Sequence, residues 1–152
     1  MLIVQDDLSG SEIRGLLQLH AEDMLASSPP GTCHFLDIAG LQVPEVTFWS
    51  MWDDDDLAGC GALLELDEKH GEVKSMRTAD AHRGRGVGRS MLEHIAATAT
   101  SRGYERLSLE TGSGEPFAAA TRLYETFGFE SCGPFGDYQA SAFNRFYTLT
   151  LD

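Results

Sequence analysis

The chain has 152 residues, and 24 acidic against 11 basic side chains give it a formal net charge of −13. That length suits one domain, residues 1–152, able to bury a core without disulfides or a structural metal. The acidity argues against general nucleic-acid binding, which needs clustered Lys and Arg. Cys33, Cys60 and Cys132 are far apart and odd in number, which fits neither a disulfide framework nor a metal-ligand spacing, so a reduced, cytoplasmic setting with no metal is expected. The first residues carry no basic region or long apolar run of a secretory signal, and no stretch approaches the roughly 18 apolar residues of a membrane span.

Met1–Gln5 reads as a short strand. Ser9-Gly10-Ser11-Glu12 has the form of a capping box with Ser9 as N-cap. Ile13, Leu16, Leu17, His20 and Met24 follow at helical spacing, and Ser27-Ser28-Pro29-Pro30-Gly31 ends that helix. Leu36–Leu41 suits a short helix before Pro44. Val46–Trp52 is rich in β-branched and aromatic residues, Asp53–Asp56 is a turn, and Leu57–Leu66 completes a hairpin. The four consecutive aspartates lack the alternation of a Ca²⁺ loop and read as a solvated tip. Gly59 and Gly61 inside the second strand signal a bulge or a close backbone approach. Glu72–Thr78 is the next strand, and strict alternation puts Glu72, Lys74 and Met76 on one face.

A helix is predicted from about Arg85 to Arg102, with Val87, Met91, Leu92, Ile95 and Ala99 on its apolar face and Gly103 ending it. Arg106–Thr111 is a strand, Glu115–Thr126 a helix closed by Gly128, Phe129–Cys132 a strand and Phe146–Leu151 the last one. Pro134–Asn144 is a loop long enough to cover a substrate. A hairpin meander followed by alternating strands and helices makes the fold class α/β with a mixed sheet.

Between Thr78 and Met91 the sequence reads Arg83-Gly84-Arg85-Gly86-Val87-Gly88-Arg89-Ser90. A glycine-rich turn opening a helix is an anion site, because the first N–H groups lack helical partners and the helix dipole adds positive charge. A nucleotide P-loop needs Gly-Lys, which the chain lacks, and a dinucleotide fingerprint needs a different glycine spacing near the first strand. Four of the eleven basic residues, Arg77, Arg83, Arg85 and Arg89, fall within thirteen positions, a local positive patch on an acidic chain.

The run Arg-x-x-Gly-x-Gly resembles the acyl-CoA pyrophosphate signature of the GNAT superfamily of N-acetyltransferases. Ala120-Thr121-Arg122-Leu123-Tyr124-Glu125-Thr126-Phe127-Gly128-Phe129, about forty residues on, resembles a second motif of that family, A-x-x-L-Y-x-x-x-G-F. The resemblance covers nearly the whole chain. It implies a GNAT-like fold: a mixed, mostly antiparallel central sheet flanked by helices, with two central strands splayed so that the pantetheine arm of the coenzyme lies between them. Two departures stand out. Met76-Arg77-Thr78-Ala79-Asp80 replaces the usual hydrophobic-x-Val-x-Pro run, and Glu110-Thr111 stands where many relatives place an Asn.

The resemblance further implies transfer of an acetyl group from acetyl-CoA, as co-substrate, to a primary amine of a small molecule or protein, by direct transfer in a ternary complex. Relatives are often homodimers. The pyrophosphate is expected on main-chain amides from Gly84 to Arg89, with Arg83, Arg85 and Ser90 as side-chain candidates and Arg122 as a weaker one. Main-chain groups of Met76, Arg77 and Thr78 are expected along the pantetheine arm and the thioester carbonyl. An alkylamine is mostly protonated near neutral pH and needs a base. Glu72, at the spacing of the histone-acetylating branch, is the first candidate and Glu110 the second, with a water chain as a further alternative. Tyr124 is the candidate acid for the departing thiolate. His20, His34, Phe35, Trp49 and Tyr138 are candidate liners of the acceptor pocket. A non-catalytic acyl-CoA-binding module shares the glycine turn; the presence of both Glu72 and Tyr124 favours the enzyme.

Overall fold

The computed structural model describes residues 1–152. In chain order the elements are β1 (Leu2–Gln5), α1 (Ser11–Ser27), α2 (Ile38–Leu41), β2 (Val46–Asp53), β3 (Asp56–Asp67), β4 (His70–Thr78), α3 (Val87–Ser101), β5 (Arg106–Thr111), α4 (Ala118–Phe127), β6 (Glu130–Cys132) and β7 (Arg145–Thr150). The seven strands form one sheet in the order β1-β2-β3-β4-β5-β7-β6. Only the β4–β5 pairing is parallel, so the sheet is mixed and mostly antiparallel as expected.

Each face of the sheet carries its own core. Ile13, Leu16 and Leu17 of α1 and Leu41 of α2 pack with Phe48, Cys60 and Ala62. On the opposite face, Val87, Met91, Leu92 and Ile95 of α3 and Tyr124 of α4 pack with Leu63, Val73, Leu107 and Leu109. The α3 face presses close to β3: a Cβ on Gly59 would stand 2.7 Å from the Val87 side chain, and one on Gly61 2.7 Å from the Met91 side chain. The close approach read from these glycines is thus present. No helix is long and apolar enough to cross a membrane.

Two local expectations change. The N-cap of α1 is Gly10, without a side-chain cap, because the Asp7 carboxylate takes both the Ser9 hydroxyl (2.6 Å) and the Ser9 N–H (3.0 Å) into an Asx turn. In β4, strict alternation fails. Ala62 pairs with Lys74 and Cys60 with Arg77, so Gly61 faces two residues of β4, and Ser75 takes φ +56° to absorb the extra one. Met76 is thereby turned to the α3 face, where its sulfur lies beside Gly61, while Arg77 shares the α1 face with Lys74 and reaches Asp23 of α1.

The sheet opens between β4 and β5. β4 and β5 pair only over His70–Glu72 and Arg106–Ser108. Beyond that point β4 continues to Thr78 on β3, and β5 continues to Thr111 on β7. The facing edges therefore part, and the main-chain groups of β4 from Val73 onward have no strand partner on that side.

Candidate active site

The gap between β4 and β5 widens into a cavity of about 810 Å³. One end is the start of α3. Gly84 (φ +76°) and Gly86 (φ +79°) hold left-handed conformations with open space around them, so glycine is needed there for its backbone and not for lack of room. Gly86 is the N-cap and offers no side-chain acceptor. The Ser90 N–H already donates to the Gly86 carbonyl at 3.0 Å. The unpaired amides are therefore those of Val87, Gly88 and Arg89, which together with the helix dipole make an anion seat.

Of the residues expected to bind the coenzyme, Met76, Arg77, Thr78, Arg83, Gly84, Gly86, Val87, Gly88 and Arg89 line the cavity. Arg85 and Ser90 do not. The Arg85 guanidinium turns back to Asp53 in the β2–β3 hairpin, at 3.1 Å, and so fastens the glycine turn to the sheet. Arg77 donates to Asp23 at 2.6 Å, which leaves its main chain and not its side chain facing the strand gap. Arg83 pairs with Asp80 at 2.8 Å. Arg89 pairs with Glu93 and lies over the Phe127 ring. Arg122 is exposed and outside the lining.

Tyr124 stands on the α4 wall, buried edge-on against Phe129. Burial alone pushes its phenol up to about 12, so it keeps its proton at any working pH.

The other end of the cavity holds two carboxylates in different surroundings. Glu72 on β4 is buried, and its Oε2 accepts from the Tyr138 hydroxyl at 2.6 Å and from Lys74 Nζ at 3.1 Å. Lys74 also reaches the Tyr138 oxygen (2.8 Å) and the His34 carbonyl (3.2 Å). Tyr138 is raised well above the ordinary phenol range by burial and the adjacent Glu72 charge, so it is a fixed donor. Glu72 is thus half of a buried ion pair.

Glu110 at the end of β5 has no such cation in contact. Its Oε2 lies 2.6 Å from His34 Nδ1 and accepts from Asn144 Nδ2 at 2.6 Å. Burial raises its pKa above the ordinary carboxylate value, opposed by His34, Asn144 and the more distant Lys74 charge. Asn144 also bonds the Thr32 carbonyl, fastening the residue 134–144 loop to the chain after α1. His34 keeps 37% of its side chain exposed, so it bridges Glu110 and solvent.

Among the proposed acceptor liners, His20, His34 and Phe35 border the cavity. Trp49 does not: it is buried on the α3 side against His94, 5.0 Å between ring centroids. Tyr138 acts from behind, through Glu72 and Lys74. Sequence reasoning missed Lys74 and Asn144. The spacing of Lys74 two residues after Glu72 on one strand was a usable signal, whereas nothing local marks the pairing of Asn144 with Glu110. No group of three or more His, Cys, Asp or Glu is placed to hold a metal ion.

The sequence profile of the Acetyltransferase (GNAT) family matches residues 13–129. The uncharacterized N-acetyltransferase YsnE of Bacillus subtilis (strain 168) is 50% identical over 151 residues, covering 99% of this chain and 100% of the relative. The uncharacterized N-acetyltransferase YedL of Escherichia coli (strain K12) is 48% identical over 149 residues, covering 98% and 94%. Among solved structures, an aminoglycoside 6'-N-acetyltransferase complexed with coenzyme A matches with a TM-score of 0.75 at 14% identity, over 99% of this chain and 97% of that one, a likeness of fold.

Proposed function

The chain belongs to the Acetyltransferase (GNAT) family as an acetyl-CoA-dependent N-acetyltransferase, and we propose that residues 1–152 act as one catalytic unit, transferring the acetyl group directly to a primary amine of a small molecule or protein in a ternary complex. The observation that carries the reading is a single cavity that joins an unpaired helix N-terminus, an open strand edge and proton-handling groups on both walls. Nothing among the relatives supports a non-catalytic acyl-CoA-binding module.

The residues present suit the coenzyme. The Val87, Gly88 and Arg89 amides lack partners, and the left-handed glycines leave the backbone uncovered for a diphosphate. Arg83 and Arg89 add charge at the rim. The Met76 and Thr78 main chain on the open edge of β4 supports hydrogen bonds to an amide-bearing arm. Acetyl-CoA supplies the activated acetyl thioester. An N–H of the open β4 edge polarises its carbonyl, in a setting where such donors act strongly.

Glu110 takes the amine proton, its carboxylate held in place by His34 Nδ1 and Asn144 Nδ2, 2.6 Å away each. This reverses the order suggested by spacing. Glu72 Oε2 is already taken by the Lys74 ammonium at 3.1 Å and the Tyr138 hydroxyl at 2.6 Å, a buried ion pair that ties this carboxylate into the structure and away from the amine. Glu110 is held above its ordinary pKa, nearer the value a base needs. Tyr124 holds the proton required by the departing sulfur. The pH dependence of kcat/KM tests the assignment. Glu110→Gln should lower the rate by about 10²-fold or more and erase the acid limb; an unchanged limb would return the role to Glu72 or to water.

A further inference from the structure

The first of the four consecutive aspartates has contacts that the other three lack. Asp53 ends β2 just before the hairpin turn, where it stands opposite Asp56, so the sheet fixes its backbone. Its Oδ2 lies 3.1 Å from Arg85 Nη2 and 3.5 Å from His82 Nε2. The His82 side chain is 8% exposed and its Nδ1 has no hydrogen-bond partner, which leaves Asp53 as the polar neighbour of the ring. One carboxylate thus meets the glycine turn at two points. The turn has little else to hold it. Residues 83–86 are exposed between the buried His82 and Val87. Gly84 and Gly86 stand at φ +76° and +79°, and a Cβ built on either meets nothing within 4 Å. No main-chain N–H from Gly84 to Gly86 is hydrogen-bonded within the chain. Two glycines so placed are free to take other conformations, so the shape of the turn is set from outside it.

We propose that Asp53 is a positioning residue for the coenzyme: acting through Arg85 and His82, it holds the glycine turn in the shape that receives a diphosphate, without touching the diphosphate itself. The inference rests on the reading of that turn as the coenzyme seat. Charge alone predicts the opposite effect. A carboxylate near the seat repels a diphosphate, and it occupies a guanidinium that would otherwise be free to bind one. If Asp53 acted only through its field, removing it would tighten coenzyme binding. Acting through the shape of the turn, its removal weakens binding, so the sign separates the two. The size is bounded as well. The Asp53 and Arg85 side chains are 34% and 49% exposed, and a pair this open to water is weak. A tether cannot bias the turn by more than its own strength, which limits the effect to about fivefold.

The test titrates coenzyme A by calorimetry into wild type, Asp53→Ala, Arg85→Ala and the double variant. Kd should rise about fivefold in each single variant, and no further in the double, because either change removes the same tether. Asp53→Asn keeps the size and an acceptor oxygen, so its Kd should fall between wild type and Asp53→Ala. KM for acetyl-CoA should follow Kd while kcat at saturation holds, since the seat and not the chemistry is altered. Tm should move by no more than about 2–4 °C, a check that separates a displaced turn from a damaged fold. Unchanged or tighter binding in Asp53→Ala, or single losses that add in the double variant, would overturn the proposal. Tighter binding in Asp53→Ala with weaker binding in Arg85→Ala would make Arg85 a phosphate ligand that Asp53 restrains. Wild type that gives no heat with coenzyme A would sink the seat itself, and this proposal with it.

Discussion

Glu72→Gln separates a structural carboxylate from a catalytic one. Glu72 and Lys74 side chains are 3% and 8% exposed, and their Oε2–Nζ distance is 3.1 Å. Neutralising Glu72 leaves the ammonium buried with only the Tyr138 hydroxyl and the His34 carbonyl as partners. Breaking one side of a buried pair costs about 3–5 kcal/mol. In a chain of this size each kcal/mol moves Tm by about 2–4 °C, so a loss of roughly 6–20 °C is expected. Lys74→Met should destabilise as well, because it strands the carboxylate. The double variant Glu72→Gln/Lys74→Met should be more stable than the sum of the single losses allows, with a coupling of about 2–3 kcal/mol. Calorimetric or denaturant unfolding of the four proteins measures the cycle. A Glu72→Gln variant that melts within about 2 °C of wild type but has lost nearly all turnover would refute the reasoning and make Glu72 the base.

Three further variants probe the rest of the site. Tyr124→Phe should lower kcat by about 10²-fold while leaving calorimetric affinity for coenzyme A unchanged; an unaltered kcat removes Tyr124 from the chemistry. Gly86→Ala forces a side chain into φ +79° and should cost about 1–2 kcal/mol of stability together with coenzyme affinity; wild-type affinity and stability would mean that the turn does not seat the coenzyme. Asn144→Ala removes a donor that holds Glu110 ionised, so the Glu110 pKa should rise further and the acid limb of kcat/KM should move to higher pH. A limb that stays put or moves toward acid would contradict the Glu110 assignment.

The architecture was legible because each element carries its own signal. β-Branched and aromatic residues mark β2 and the aspartate turn marks its hairpin with β3, helical periodicity marks α1 and α3, and Gly84, Gly86 and Gly128 stand at positive φ as turn positions demand. The glycine turn with its unpaired helix start, where we propose that the diphosphate sits, was legible for the same reason, since it is made by the backbone and requires glycine. What escaped depends on contacts distant in sequence or on competition between neighbours. Ser75 gives no glycine or proline warning of its bulge, yet it reverses the face of Met76 and Arg77. The Asp7 side chain outcompetes the capping box by seizing Ser9. Arg85 looks like a phosphate ligand in sequence, but Asp53, brought near by the β2–β3 hairpin, claims it. Two carboxylates of similar appearance acquire different chemistry only when Lys74 and Tyr138 close on Glu72 and leave Glu110 to His34 and Asn144.

The most direct measurement of the central claim is a paired assay on one sample: free thiol released from acetyl-CoA in the presence of a primary amine, and the mass of that amine afterwards. The account predicts that thiol and N-acetylated amine appear in equal amounts, and that both fall together in Glu110→Gln and Tyr124→Phe. Thiol release without an acetylated amine, or product formation that proceeds undiminished in both variants, would contradict it.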